Sequence, residues 1–492
     1  MIRWLNATGC LFIASFFLSG CFDSHTELLE KKCYKGESAA CSQAAYNYFV
    51  GSDENGHIVE LSQTKSNLLY LKACELGDGS ICDKIGQDFL HYDLGYNPDL
   101  VSAMEYFDKG CSLDYAQSCT HLAGLFAQGK ELRRNLKNAR TLFDKACNLD
   151  DGQGCFYAGI MYEKGEGVKK NYTRAFDYYS KGCKLDDAQS CTNIGAMHYS
   201  GLLNGKDYSK ANEFFSIGCH LNLGYACANL ANLYINGYGV NVDYKEALSL
   251  YNKGCTLNDS RSCSNLGIMY EKGMGVELDY ALAYKFLNKA CNSNDGNGCL
   301  ELGILQSKGL GPNAGEEQNS IASFERGCNL GNTNACTNLG LYYADVKTSE
   351  GTDKARRYFE KSCNGKNIKG CTNLGVIYQN SHDLANLKKA FNLYNYSCSL
   401  GDATACSNLA IMYAYGQYVK QNFSRSQELF SKACDYGHNE SCNFSGLLLK
   451  DGISGKSDPK KASVFFEKAC KLGNKDGCRN LQSISSKVML KE

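Results

Sequence analysis

From Cys263 the chain alternates two kinds of short apolar pattern, and the alternation predicts its architecture. Cys263-Ser-Asn-Leu-Gly-Ile-Met-Tyr-Glu-Lys-Gly273 sets Leu266, Met269 and Tyr270 at helical spacing and ends on a glycine suited to a C-cap. Tyr280-Ala-Leu-Ala-Tyr-Lys-Phe-Leu-Asn-Lys-Ala-Cys291 has a second apolar face at helical spacing. The run from Asn292 to Gly298 is made of turn formers, and Cys299 restarts the pattern. Each unit is therefore helix A, a tight loop, helix B and a short turn. Corresponding cysteines recur every 35–37 residues from Cys74 onward, after a first interval of 41 in which Asp53-Glu-Asn-Gly56 is the expected bulge. A fixed period of this size means a stacked array rather than the three or four domains that 492 residues would otherwise imply. The expected fold is all-α, a right-handed α/α solenoid.

Composition changes the picture at one point, the 28 cysteines. Apart from Cys10 and Cys21, all fall in pairs eight positions apart. In chain order Cys33 pairs with Cys41, Cys74 with Cys82, Cys111 with Cys119, Cys147 with Cys155, and Cys183 with Cys191. Cys219 follows with Cys227, Cys255 with Cys263, Cys291 with Cys299, and Cys328 with Cys336. The last four pairs are Cys363 with Cys371, Cys398 with Cys406, Cys434 with Cys442, and Cys470 with Cys478. The first cysteine of each pair lies in the last turn of a B helix and the second in the first turn of the next A helix. An αα-hairpin brings such positions side by side, so each pair is expected to form a disulfide. Zinc is disfavoured, because structural sites space paired cysteines by two to four residues, and no metal or other cofactor is expected. Only 3 prolines suit a chain of helices and short turns. The 52 basic and 52 acidic residues balance, which gives the chain no general electrostatic reason to bind nucleic acid.

Residues 1–20 read as a signal peptide, with Arg3 followed by an apolar run from Cys10 to Leu18 that is too short to span a bilayer. Leu18-Ser19-Gly20-Cys21 resembles the bacterial lipobox, which implies lipidation of Cys21 and a membrane contact through that anchor alone. The expected product is an exported envelope lipoprotein, periplasmic, anchored in the outer membrane or released. Its expected plan is a capping helix at 21–40, about twelve repeats over 41–477, and a capping helix at 478–492. The repeats start near 41, 82, 119, 155, 191, 227, 263, 299, 336, 371, 406 and 442.

Asn265-Leu-Gly-Ile-Met-Tyr-Glu-Lys-Gly-Met-Gly-Val276, Asn229-Leu-Ala-Asn-Leu-Tyr-Ile-Asn-Gly-Tyr-Gly-Val240 and Ala158-Gly-Ile-Met-Tyr-Glu-Lys-Gly-Glu-Gly-Val168 resemble Sel1-like repeats, relatives of the tetratricopeptide repeat. Ala175, Ala211, Ala247, Ala355, Ala390 and Ala462 hold the family's small position in helix B. The cysteine framework resembles the Helicobacter cysteine-rich proteins. The Gly-x-Gly-Val loop is lost at Gly201–Asn204, at Gly416–Val419 and after Cys371, where different loop shapes are expected. The resemblance implies a scaffold whose concave face holds a protein or peptide. For the cysteine-rich branch it also implies weak β-lactamase activity, or binding of penicillin or a peptidoglycan fragment.

Ser62-Gln-Thr-Lys65 and Ser457-Asp-Pro-Lys460 match the Ser-x-x-Lys of serine β-lactamases, but serine and lysine are common enough here for several chance matches. No catalytic residue is assigned. Asparagine recurs two positions after the second cysteine, at Asn193, Asn229, Asn265, Asn338, Asn373, Asn408 and Asn480, replaced by His121, Tyr157 and Glu301 in other units. Such amides form either a ladder that clamps a peptide backbone or bonds within the scaffold; the first six are the partner-binding candidates. Tyr162, Tyr199, Tyr234, Tyr270, Tyr343, Tyr378 and Tyr413 are expected in the core, and Tyr238, Tyr415 and Tyr418 at contact surfaces. Glycines inside the A helices, such as Gly340, are expected where helices approach closely.

Overall fold

The computed structural model describes residues 24–91, 98–129, 134–312, 317–381 and 383–489. The signal peptide and Cys21 lie outside the described residues. Among them there are 26 helices, mostly of 13 residues, and no strand beyond the isolated bridge Ser52–Ile58 beside the bulge at Asp53–Gly56. The chain forms two compact units, one ending at Leu250 and the other beginning at Tyr251. Within each unit consecutive helices pack in sequence as A/B pairs, the arrangement of an α/α solenoid. No described helix is long and apolar enough to cross a membrane.

The repeat that begins near Cys263 forms helices Ser260–Lys272 and Tyr280–Asn292. Gly273 ends the first in the left-handed region at φ 66°, and the Asp279 carboxylate caps the second. The turn to the next A helix is shorter than its composition implies. Helix Gly296–Ser307 already includes Gly296 and Gly298, so the turn is Ser293–Asp295, with Asn294 at φ 62° and Asp295 as the N-cap. Gly298 sits where an added Cβ would come within 2.6 Å of the Ala290 Cβ, so it permits close packing rather than turning. Asp114, Asp150, Asp186, Asn222 and Asn258 repeat the left-handed turn residue of Asn294, a conformation that Asp and Asn tolerate.

All thirteen expected pairs, from Cys33–Cys41 to Cys470–Cys478, are disulfide-bonded, each tying the end of a B helix to the start of the next A helix. A closed loop of this length contributes about 2.5 kcal/mol in the chain-entropy account, and a framework of this density belongs to an oxidising compartment. Hydroxyls one position after the second cysteine couple successive A helices. Thr120 donates to the Asp151 cap at 2.5 Å, Ser264 to Asp295 at 2.5 Å and Thr372 to Asp402 at 3.2 Å. Lysines near the B-helix ends couple successive B helices, as where Lys289 donates to the Cys255 carbonyl at 2.8 Å.

Inside a pair, a bulky B-helix side chain lies on a small A-helix residue. Added Cβ atoms at Gly195 and Gly340 would meet the Phe215 and Phe359 rings at 2.7 and 2.4 Å. The six small alanines of helix B are fully buried. Further along the pair, rings stack face to face: Phe89 on Tyr106, Tyr162 on Tyr178, Tyr270 on Phe286 and Tyr343 on Tyr358. Of the seven tyrosines expected in the core, Tyr162 is buried, Tyr234, Tyr270, Tyr343, Tyr378 and Tyr413 are half-buried, and Tyr199 lies outside it. His198 fills the stacking slot against Phe214, and Tyr199, one position on, is 37% exposed. The loop at Gly416–Val419 also departs from expectation, since Gly416 and Tyr418 adopt the left-handed conformations of Gly273 and Gly275. Tyr418 keeps the loop shape without the glycine.

Gly340→Ala is expected to destabilise the protein by about 1–3 kcal/mol, because the Phe359 ring has to move. Gly124→Ala, with nothing within 4 Å of the new methyl, is expected to stabilise by about 0.5–1 kcal/mol. Urea unfolding of the two oxidised variants reads both, and equal shifts would contradict the packing account.

Burial and the Glu325 carboxylate push the Tyr358 hydroxyl up to about 12, and burial followed by Glu163 pushes Tyr179 higher still. These hydroxyls stay neutral in the fold, whereas an unfolded chain ionises them near pH ~10. Their stabilisation is therefore fully present below pH ~10, and the part due to Tyr358 is lost as pH rises through about 12. Urea midpoints followed across this range are expected to fall steeply, and a flat profile would contradict it.

Candidate functional site

Four positions of each A helix share its outward face: two before the second cysteine, then two, five and nine after it. In helix Gly224–Asn236 these are Tyr225, Asn229, Asn232 and Asn236. With Tyr199, they line a cavity of about 390 Å³ that no charged side chain borders. The asparagines at the second of these positions are half-buried throughout.

The six candidate amides divide by the B-helix ring beneath them. Asn193, Asn265 and Asn408 bond the hydroxyls of Tyr179, Tyr251 and Tyr394, and donation by the amide works against the rise that burial causes in those hydroxyls. For these three the amide belongs to the scaffold. The equivalent rings for Asn229, Asn338 and Asn373 are Phe215, Phe324 and Phe359, which offer no hydroxyl. Among the described residues these three amides make no side-chain hydrogen bond, so they retain a donor and an acceptor for a ligand. Asn480 donates to Asn443 at 2.9 Å.

The residues that replace asparagine are also engaged. His121 Nδ1 lies 2.8 Å from the buried Asp83 carboxylate, which also accepts from Ser118 at 2.9 Å and Gln87 at 2.6 Å. The Tyr157 ring stacks on Phe143. Burial and the nearby Glu271 raise the Glu301 carboxyl above its ordinary value. Phe444, in the asparagine slot of the unit at Cys442, is 44% exposed and escapes the sequence reading.

A second column also escapes it, although its signal is in the repeat register. Three positions after the asparagine slot stand Ile268, Ile304, Leu341, Val376, Ile411 and Leu447, one from each of six consecutive A helices of the second unit. All are at least partly solvent-accessible, and Leu341 is 51% exposed. The same column in the first unit reads Tyr46, Gln87, Gly124, Ile160, Ala196 and Asn232. The second unit thus carries an aliphatic stripe beside its amides, and the first carries none.

The serines of the Ser-x-x-Lys matches have other roles. Ser62 caps helix Gln63–Glu75, its hydroxyl accepting from the Lys65 backbone N–H at 3.3 Å, and the Lys65 ammonium lies over the Tyr48 ring at 4.8 Å. Ser457 donates to the Lys450 carbonyl at 2.5 Å. Neither hydroxyl is paired with its lysine's ammonium. Among the described residues no cluster of His, Cys, Asp or Glu is arranged to hold a metal.

Comparison with known proteins shows eleven segments that match the Sel1 repeat: 38–78, 82–115, 116–151, 152–187, 188–223, 224–259, 260–295, 333–367, 368–402, 403–438 and 439–474. A protective antigen of uropathogenic Escherichia coli with an SLR fold is similar over 94% of this chain and 91% of its own, at 21% identity and TM-score 0.64. Helicobacter pylori cysteine rich protein B is 29% identical over 28% of this chain and 97% of its own, at TM-score 0.23. Mouse cytochrome c oxidase assembly factor 7 is 32% identical over 116 residues, 22% of this chain. The chain spans about half the length of the curated relatives it matches. With matches running through both units and a disulfide at every repeat junction, the chain belongs to the Sel1 repeat family.

Proposed function

We propose that this protein is an exported scaffold that binds a protein or peptide in extended form on the A-helix face of its second unit. Sel1 repeat proteins generally act as protein–protein interaction scaffolds. The aliphatic stripe from Ile268 to Leu447 carries the proposal, because six apolar residues in register stay partly solvent-accessible, although Ile268, Ile304, Val376 and Ile411 also pack on the core beneath. Asn338 and Asn373 lie beside it with free amides, which suits the backbone of an extended chain. Neighbouring helix axes lie about 8–10 Å apart, close to the ~9.3 Å that one three-residue turn of an extended polyproline II chain spans, so a partner in that form with an apolar residue at every third position fits the stripe. Export follows from the cysteine framework together with the apolar run at Cys10–Leu18, and the lipobox-like Leu18–Cys21 would supply a lipid anchor. In this plan residues 41–477 are the working array, and 21–40 and 478–492 cap it.

Peptides selected from a random library on the oxidised protein provide the test. Val376→Glu and Ile411→Glu place a charge on the stripe, and each is expected to weaken the selected peptides about tenfold or more. Gly124→Glu, in the same column of the first unit and with open space around the new side chain, is expected to leave them unchanged. Peptides indifferent to both stripe variants would overturn the proposal.

A further inference from the structure

One repeat of the second unit breaks the packing rule of all the others. In every other repeat, the A-helix position seven after the second cysteine is aromatic or leucine. It faces an aromatic or leucine five positions before the next repeat's first cysteine. In the repeat between Cys299 and Cys328 both are replaced together, by Gln306 and Ser323. Ser323 donates to the Gln306 Oε1 at 2.7 Å, and each residue is only 8% exposed. A buried polar pair of much smaller volume thus stands where other repeats hold a pair of stacked rings or a ring on a leucine. Matches to the Sel1 repeat stop at 295 and resume at 333, passing over this same repeat.

Gln306 borders a cavity of about 760 Å³. Its walls include Gln306, Ser320, Ile321, Phe324, Asn338 and Leu341, so it opens onto the asparagine slot and the aliphatic stripe. The Gln306 Oε1 is taken by Ser323, which leaves its Nε2 without an acceptor among the described residues, and the Asn338 amide is likewise free. The two charges at the rim are already engaged, Lys308 by Glu271 at 2.9 Å and Glu317 by the Tyr342 hydroxyl. A largely apolar surface whose two charges are engaged and whose amide donors are free suits an aromatic ring that carries an oxygen acceptor.

We propose that this cavity seats a tyrosine side chain of the extended partner, its ring lying against Ile321, Phe324 and Leu341 and its phenolic oxygen accepting from the Gln306 amide. The assignment rests on the peptide-binding role proposed above and names that partner's anchor. Leu341 and Ile304 lie on both the cavity wall and the stripe, so one chain can occupy both. Buried tyrosines anchored in a pocket commonly dominate such interfaces.

The test uses p-fluorophenol as the probe, followed by fluorine NMR on the oxidised protein, with p-fluorotoluene beside it. Saturable binding of the phenol, stronger than that of the toluene, is expected. Gln306→Met keeps the volume and removes the donor, and it is expected to abolish the preference for the phenol. Gln306→Tyr/Ser323→Phe installs the ring pair that other repeats carry at Tyr162–Tyr178 and Tyr270–Phe286. It is expected to lose phenol binding while unfolding at a temperature no lower than the wild type. If that variant fails to fold, Ser323→Leu, a residue the slot holds at Leu142 and Leu250, is read in its place. In a selected peptide, Tyr→Ala is expected to cost about thirtyfold in affinity. Absence of saturable phenol binding, or equal binding by the refilled variant, overturns the pocket. Ile411→Glu separates the two proposals: peptide binding lost with phenol binding intact is expected. Peptide binding that persists with no phenol binding would leave the scaffold role standing and remove the anchor.

Discussion

The disulfide at each junction is the constraint on which the rest of the structure depends. A B helix meets its own A helix through a bulky side chain seated on a glycine or alanine, as Phe359 sits on Gly340. It meets the following A helix less extensively, across a turn of about three residues. That junction sets the angle from one repeat to the next, and the Cys-x7-Cys bridge closes it where the two helices diverge. The left-handed Asp or Asn of the turn, the Asp cap and the hydroxyl that holds the cap all lie within a few residues of the bridge. An isolated repeat of two 13-residue helices would be marginal in water, and stacking supplies the missing apolar contact. The bridges hold the stack in register.

Register is what turns a repeat into a surface. Because every A helix begins at the same place relative to its bridge, positions equivalent in sequence become columns in space. One column is half-buried and mostly asparagine, and the ring below decides whether each amide is spent within the scaffold. The next column is aliphatic in the second unit and mixed in the first. A single substitution therefore changes one element of a column and leaves its neighbours in place. The paired change at Gln306 and Ser323 alters the interior of one repeat without disturbing its bridges at Cys291–Cys299 and Cys328–Cys336.

Most of the fold is legible along the chain because the cysteines mark every junction and the A and B patterns are helical in themselves. The departures have local causes. Gly296 and Gly298 read as turn formers, but glycine also serves where helices touch. Residue type points to Tyr199 as the core ring, although counting from Cys191 gives His198, which stacks on Phe214. Tyr418 reads as breaking a loop that the surrounding helices hold in shape. The site is less legible. Asn193 and Asn229 look alike along the chain, and only the packing shows Tyr179 under one and Phe215 under the other. The aliphatic stripe is visible in the register, but apolar residues within a helix read as core until their exposure is known.

Mapping the disulfides of the oxidised protein by mass spectrometry of a non-reduced digest tests the central claim most directly. The account predicts thirteen bridges, each joining cysteines eight positions apart, with no free thiol among residues 33–478. Bridges between distant repeats, or a substantial population of free thiols at the junctions, would contradict it.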